Sequence, residues 1–365
     1  MERTEALLAD GRQIIWYDAD GTHRVPSVDR RPLEPSVVMS QMRHDPLTGE
    51  WIAVSSARQN RTYMPPADQC PLCPSRDGRM TEVPSPEYQV VAFENRFPSF
   101  ATQIEGVTTE NDGFEQIRPA TGRCEVLCFT SDHNSTFAAL SPAQARLVVD
   151  AWADRTTYLN ELEAVKHVFP FENRGIEIGV TLQHPHGQIY GYPFIPPRAY
   201  TELMHAAAHR QAHGRNLFGD LIAFEQAGPR TVASNEEWLA FVPFAARWPV
   251  EVHLYPLRRV HDLSELDEAQ RDAFTLIYLD ILGRFDRMYD SRLPYIAGWQ
   301  QAPAPDPDNP DTTALRDEAW LHLELTSIRR GPDKLKYLAG SESGQGAFIA
   351  DILAEPLAAR LRDLA

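Results

Sequence analysis

The sequence predicts an α+β fold built from a duplicated unit of antiparallel strands. Three observations carry this. An order of strand, strand, helix, strand, strand occurs once before residue 196 and again after it. Two helix starts, at Ser141 and Asp267, each place a glutamine at the third helical position. The connections are short and rich in turn residues, as antiparallel strands require.

In the first unit, Met42 to Glu50 reads as a turn leading into a strand at 51–54. Strands follow at 88–93 and 125–129. Ser141, Pro142 and Gln144 form a capping-box start, and apolar positions from Ala145 to Trp152 continue the helix. Residues 165–171 and 176–182 read as two more strands, joined by the turn Glu172 to Gly175. The second unit repeats this with strands at 238–242 and 250–255, a helix from Asp267, and strands at 294–299 and 320–325. The Pro/Asp-rich stretch 301–318 reads as an inserted loop. A helix from Pro197 to about His213 links the halves, and one from Ile349 to Leu364 closes the chain. The expected organisation is an N-terminal extension (1–40), a first domain (41–196) and a second (197–365).

Composition bounds the function. The 365 residues carry a net charge of −16, which argues against a nucleic-acid partner. No stretch approaches 18 apolar residues and no signal-peptide core is present, so the expected setting is the cytoplasm, with no membrane association. Only four cysteines occur, at 70, 73, 124 and 128.

The chemistry concentrates in Gln183-His184-Pro185-His186-Gly187-Gln188. His184, His186 and Gln188 recur at period two, so an extended backbone turns them to one face. An imidazole whose second nitrogen is held by a backbone carbonyl is a competent nucleophile. A neighbouring glutamine can donate to a phosphoryl oxygen. Gly187 leaves room for a phosphate against the backbone. Cys70-x-x-Cys73 is half of a zinc site. Adding Cys124 and Cys128 is one completion, but on a strand those two lie about 13 Å apart. Adding His133 and His184 is favoured.

The segment 169–175 (FPFENRG) followed by 184–188 (HPHGQ) resembles the galactose-1-phosphate uridylyltransferase family of the histidine-triad superfamily. Residues 43–49 (RHDPLTG), 70–73 (CPLC), 93–97 (FENRF), 131–133 (SDH) and 336–342 (KYLAGSE) extend the likeness from about residue 40 to 345. The resemblance implies two histidine-triad-like halves, with antiparallel sheets flanked by helices forming a duplicated half-barrel-like core. It implies a homodimer with shared active sites and ping-pong transfer of UMP from UDP-glucose to galactose 1-phosphate. His186 would be the nucleophile and Gln188 its partner. Arg43, Asn95, Asn173 and Thr181 would contact the nucleotide and its phosphates. Strand parity sets Thr181 opposite His184, so its role rests on the resemblance. Lys336, Ala339, Ser341 and Glu342 would hold the hexose phosphate, with Ser341 replacing the family's usual tyrosine. Cys70, Cys73, His133 and His184 would bind zinc. Some relatives bind a second metal, iron or zinc, through one glutamate and three histidines. Here Glu202, Gln300, His322 and Glu324 stand in those places, and two departures from histidine weigh against that ion. An ADP-sugar phosphorylase on the same scaffold and a non-catalytic nucleotide-binding protein are the alternative functions.

Overall fold

The computed structural model describes residues 1–60, 63–76, 78–289 and 291–365. The chain opens on two strands, β1 (Glu2–Leu7) and β2 (Gln13–Asp18), inside the segment read as an extension. Next come β3 (Gln41–His44) and β4 (Trp51–Val54), so residues 42–44 are strand and the turn is confined to residues 45–50. The Asp45 carboxylate closes that turn, accepting from Leu47 N (2.9 Å) and Thr48 Oγ1 (3.1 Å). Beyond it lie four more strands: β5 (Val90–Glu94), β6 (Glu110–Asp112), β7 (Glu115–Pro119) and β8 (Arg123–Cys128).

Helix α1 (Pro142–Asn160) starts where Ser141 Oγ accepts from Gln144 N. The reciprocal half of the expected box is not made. Gln144 Nε2 instead donates to Gln89 O and Phe129 O, both at 2.7 Å, and so ties the helix to the sheet. Strand β9 (His167–Arg174) is longer than expected, and the expected strand at 176–182 does not form. Gly175 (φ 109°) and Gly179 (φ 82°) bracket one 3-10 turn there, and their left-handed backbone breaks an extended run. A Cβ on Gly175 would also lie 2.7 Å from the Pro294 Cβ. The partner of β9 is β10 (His186–Tyr192), which starts on the second histidine of the pair.

The second half runs through α2 (Pro197–His213), α3 (Leu217–Gln226), β11 (Thr231–Ser234), β12 (Trp238–Phe241) and β13 (Val250–Pro256). In α4 (Glu268–Arg287) the Asp267/Gln270 capping box is complete. After β14 (Tyr295–Gln300), the expected loop contains a helix, α5 (Pro310–Glu318). Asn309 Oδ1 accepts from the Asp311 and Thr312 amides, and Pro310 presets the first helical φ. The chain ends with β15 (His322–Ser327), β16 (Arg329–Gly331), β17 (Lys334–Leu335), α6 (Gly340–Gln345) and α7 (Ala354–Asp363).

Eleven strands make one antiparallel sheet in the order β1-β2-β5-β8-β10-β9-β14-β15-β13-β12-β11. The halves join strand to strand, with Tyr295 opposite Arg174 and Gly298 opposite Phe171. This overturns the half-barrel-like core. The inner strand of each half is spent on the other half, and among the described residues β1 and β11 remain unjoined at the two ends. The sheet therefore continues instead of curling closed. Helices α1 and α4 pack together against it, over a core that includes Phe129, Trp152, Trp238, Phe274 and Trp299. Arg155 and Glu125, both essentially fully buried, pair at 2.8 Å and fasten α1 to β8. Among the described residues, no helix is long and apolar enough to cross a membrane.

Candidate active site and metal centre

The geometry of the site begins where β8 ends. Phe129 N donates to Pro185 O (3.1 Å), which pins the loop just before β10. His184 lies in that loop and is almost completely buried. Its Nε2–H donates to Thr130 O (2.8 Å), and the same nitrogen lies 2.7 Å from the Tyr88 hydroxyl. The Nδ1 lone pair is thereby left for Cys73 Sγ, 3.5 Å away. Burial pushes the His184 pKa down to about 4, so the ring is neutral.

His133 Nδ1 lies 3.4 Å from the same sulfur, and one donor atom from each of Cys70, Cys73, His133 and His184 lies within 4.8 Å of all the others. An ion bound tetrahedrally by thiolates and imidazoles sets its nitrogen and sulfur ligands about 3.5 Å apart. The four side chains fit a metal ion as they stand. The other completion does not assemble. Cys124 packs with Met42 and Phe100, while Cys128 packs in a separate cluster with Tyr88 and Cys70.

His186 is the first residue of β10. Its Nδ1–H donates to His184 O (2.7 Å), so the ring's lone pair is on Nε2. His184 therefore has two jobs. Its ring faces the metal cluster, and its carbonyl fixes the tautomer of His186. Gln188 shares a face of β10 with His186. The Tyr190 hydroxyl donates to Gln188 Oε1 (3.3 Å), which leaves the amide Nε2 to donate into the cavity. Arg58 Nη1 in turn reaches Tyr190 Oη (3.3 Å). Neither Tyr190 nor Arg58 is singled out by any motif.

Two cavities meet at His186. One, of about 320 Å³, is lined by Phe93, Asn95, Phe97, Thr181 and Gln188. The other, of about 370 Å³, is lined by His133, Glu172, Asn173, Arg174 and Arg292. A recess beside them brings Asn173 and Thr181 next to His186 and Gln188. The parity argument against Thr181 fails because residue 181 is in a loop. Gly187 has a different reason from the expected one. A Cβ there would lie 2.8 Å from Phe171 O and 2.9 Å from Phe129 Cζ, so close packing on the buried face requires the glycine.

Sequence comparison decides the family. Residues 31–196 match the family profile described as galactose-1-phosphate uridyl transferase, N-terminal domain, and residues 202–365 match that of its C-terminal domain. The chain belongs to the galactose-1-phosphate uridylyltransferase family. A galactose-1-phosphate uridylyltransferase of Streptomyces lividans is 52% identical over 331 residues, covering 89% of this chain and 87% of the relative. One of Thermotoga maritima is 36% identical over 326 residues, covering 89% and 98%. A solved uridylyltransferase structure superposes with a TM-score of 0.78 at 31% identity, covering 89% of this chain and 98% of that one. An ADP-glucose phosphorylase of Arabidopsis thaliana shares the fold, with a TM-score of 0.67 at 18% identity over 90% of this chain and 99% of that one.

Other residues marked by the family likeness lie apart from the cavities. Arg43 is exposed on β3, with Nε donating to Gln41 Oε1 (3.3 Å). Lys336, Ala339, Ser341 and Glu342 form a local arm. Lys336 Nζ donates to Ile349 O and lies 3.6 Å from Glu342, while Ser341 Oγ donates to Ala347 O (2.7 Å). None of the four lines either cavity. At the second family position, the donors of Glu202, His322 and Glu324 do not converge as a metal cluster among the described residues.

Glu172 gives a prediction about pH. Burial pushes its pKa up to about 7, with the Arg174 guanidinium and the Tyr295 hydroxyl (2.9 Å) working in the opposite direction. An unfolded glutamate titrates near 4.3. Below that pH both states hold the proton. As pH rises towards 7, the unfolded chain loses it first, so stability falls by about 3–4 kcal/mol across this window. Glu172→Gln is expected to flatten that dependence in urea unfolding measured at pH 5 and pH 7.5. An unchanged slope would show that Glu172 is ionised in the folded chain.

Proposed function

We propose that the chain is a galactose-1-phosphate uridylyltransferase, exchanging UMP between UDP-glucose and galactose 1-phosphate through His186. The observation that carries this reading is a histidine with its Nδ1–H locked on a carbonyl, standing where two cavities meet. Family membership supplies the substrates. His186 Nε2 attacks the α-phosphorus of UDP-glucose. The bond from that phosphorus to the bridging oxygen breaks, and glucose 1-phosphate leaves with the electron pair. A phosphate oxygen of galactose 1-phosphate then attacks the same phosphorus, the N–P bond breaks, and neutral imidazole returns. No proton has to be supplied, which suits a glutamine at 188. The Gln188 amide donates to the nonbridging oxygens as charge builds, while Asn173 and Thr181 hold neighbouring phosphate oxygens. Phe93, Phe97 and Asn95 form the nucleoside side.

Zinc suits the Cys70, Cys73, His133, His184 donor set, and when bound it would fix His184 and with it the carbonyl that orients His186. The sugar-phosphate contacts of Lys336, Ala339, Ser341 and Glu342 would come from a second copy, in a homodimer with shared sites. Exposed Leu47, Ile52 and Val54 on the β3–β4 hairpin, and Leu338 and Ile349 on the arm, are apolar surface for such a contact. Arg43, on the same hairpin, would then reach the partner's nucleotide phosphates. Four unpaired cysteines suit a cytoplasmic enzyme.

Incubation with UDP-glucose and galactose 1-phosphate is expected to yield UDP-galactose, and light scattering is expected to give the mass of two chains. Turnover only with ADP-glucose and inorganic phosphate would favour the phosphorylase reading. Gln188→Ala is expected to lower kcat by about 10²–10³ with little change in KM, because its donation strengthens in the transition state. A rise in KM alone would make Gln188 a ground-state binding group.

A further inference from the structure

Strand β15 holds in the second half the place of β10 in the first. Strand β10 lies between β8 and β9, and β15 lies between β13 and β14. Each begins with a histidine and carries a polar residue two positions on: His186 and Gln188, His322 and Glu324. The second half thus keeps the positions of the β10 pair, but its cavity shrinks to about 10 Å³, lined by residues that include Glu202, Gln300 and His322. Around Glu324 there is a packed polar cluster instead. Arg198, at the start of α2, donates from Nη2 to Glu324 and from Nε to Glu202 Oε1 (3.0 Å). His253 Nε2 lies 2.9 Å from Glu251 Oε1 and 3.5 Å from Glu324 Oε1. His322 Nε2 lies 3.8 Å from Glu324 Oε1, its Nδ1–H donates to Trp320 O (2.9 Å), and Tyr255 stacks on its ring at 4.4 Å.

We infer that Arg198 is the resident cation of this second-half cluster, replacing a metal ion there, so that the chain carries one metal site instead of two. The chemistry of the donor set supports it. Two carboxylates share one guanidinium, which meets two anions at fixed angles as an ion would. A guanidinium already bonded to Glu202 and Glu324 leaves no approach for a second cation between them. The exposures agree. Glu324 is 6% exposed, while the Arg198 side chain is 44% exposed and enters from the solvent side. Burial alone would push the Glu324 carboxyl up, but His253, His322 and Arg198 together hold it well below the usual carboxylate range. The unexpected glutamate at 324 then has a reason. A metal ion accepts either a histidine or a carboxylate there, whereas an arginine needs the carboxylate. The inference does not depend on the reaction proposed above, since it concerns a cluster on another strand.

The test is metal content in the full-length protein, with Arg198→Met and Arg198→Lys beside the unmodified chain. After saturation with Zn²⁺ or Fe²⁺ and exhaustive dialysis, the unmodified chain is expected to retain one equivalent by mass spectrometry. R198M, which keeps the aliphatic stem, is expected to melt about 2–4 °C lower. Added Co²⁺ is expected to restore that loss and to give visible d–d absorption beyond that of the unmodified chain. R198K keeps the charge and is expected to take up no second ion, which leaves a readout if R198M folds poorly. Two equivalents retained by the unmodified chain or by R198K would overturn the inference. So would an R198M melting temperature that is unchanged, or that falls and is not moved by Co²⁺.

Discussion

Substituting His186 by glutamine is expected to lower turnover by roughly 10⁵–10⁶, the scale seen when a covalent nucleophile is removed from a site that still binds substrate. The fold should survive. His186 is half-buried at the first position of β10, and its ring donates to His184 O a hydrogen bond that an amide at 186 can also make. The metal cluster should also survive, because His186 is not among its four donors. Two readouts separate loss of chemistry from loss of structure. UDP-glucose labelled at the α-phosphate should leave label on the unmodified chain and none on H186Q. Melting temperature and metal content should match between the two. Label retained on H186Q, or turnover within tenfold of the unmodified enzyme, would place the nucleophile elsewhere.

The His186 site was legible because its parts are close in sequence. Three residues at period two, and a proline and a glycine between them, state a geometry that one strand and one loop can satisfy. The convergence of Cys70, Cys73, His133 and His184 was legible for a different reason. A C-x-x-C pair needs two more ligands, and distance along one strand argues against the Cys124/Cys128 pair. The failures have a common cause. A segment's pattern does not say what other backbone it will pair with. Residues 176–182 are apolar enough for a strand, yet glycines at 175 and 179 take left-handed backbone and the pairing falls to residues 186–192 instead. The stretch 306–318 is acidic enough for a loop, yet Asn309 and Pro310 start a helix there. The half-barrel expectation failed one level higher. Whether a sheet closes depends on which strands meet at its centre, and β9 meets β14 through no local signal. Tyr88, Tyr190 and Arg58 belong to this class too. Tyr88 and Arg58 reach the site from distant parts of the chain, and Tyr190, on β10 itself, has no pattern that marks it before its hydroxyl meets Gln188 and Arg58.

Cys73 is expected to be the most sensitive of the four metal donors, because its sulfur is the one in direct contact with both histidine rings. Cys73→Ser removes one of the four side chains that would hold the ion. The remaining donors must then hold an ion with three protein ligands, and a structural site of that kind binds far more weakly. Metal binding to folded chain only is folding energy, so its loss is expected to cost about 3 kcal/mol or more, a fall of about 6–12 °C in melting temperature. The chain should still fold, since its main core of helices and sheet lies outside the cluster. Turnover should fall with stability, through a short physical chain. Without the ion, the His184 ring is held only from its Nε2 side, its backbone gains freedom, and the carbonyl that fixes the His186 tautomer moves with it. A displacement near 1 Å at a reacting group costs about 10²-fold in rate. The expected result is a kcat loss of that order with KM little changed. Chelation of the unmodified enzyme should reproduce it, and added Zn²⁺ should reverse it there but not in C73S. Cys128→Ser is the control, because Cys128 is not one of the four donors, and metal should be retained. A C73S chain that keeps both its metal and its melting temperature would remove the ion from this account and leave His184 positioned by Tyr88 and Thr130 alone.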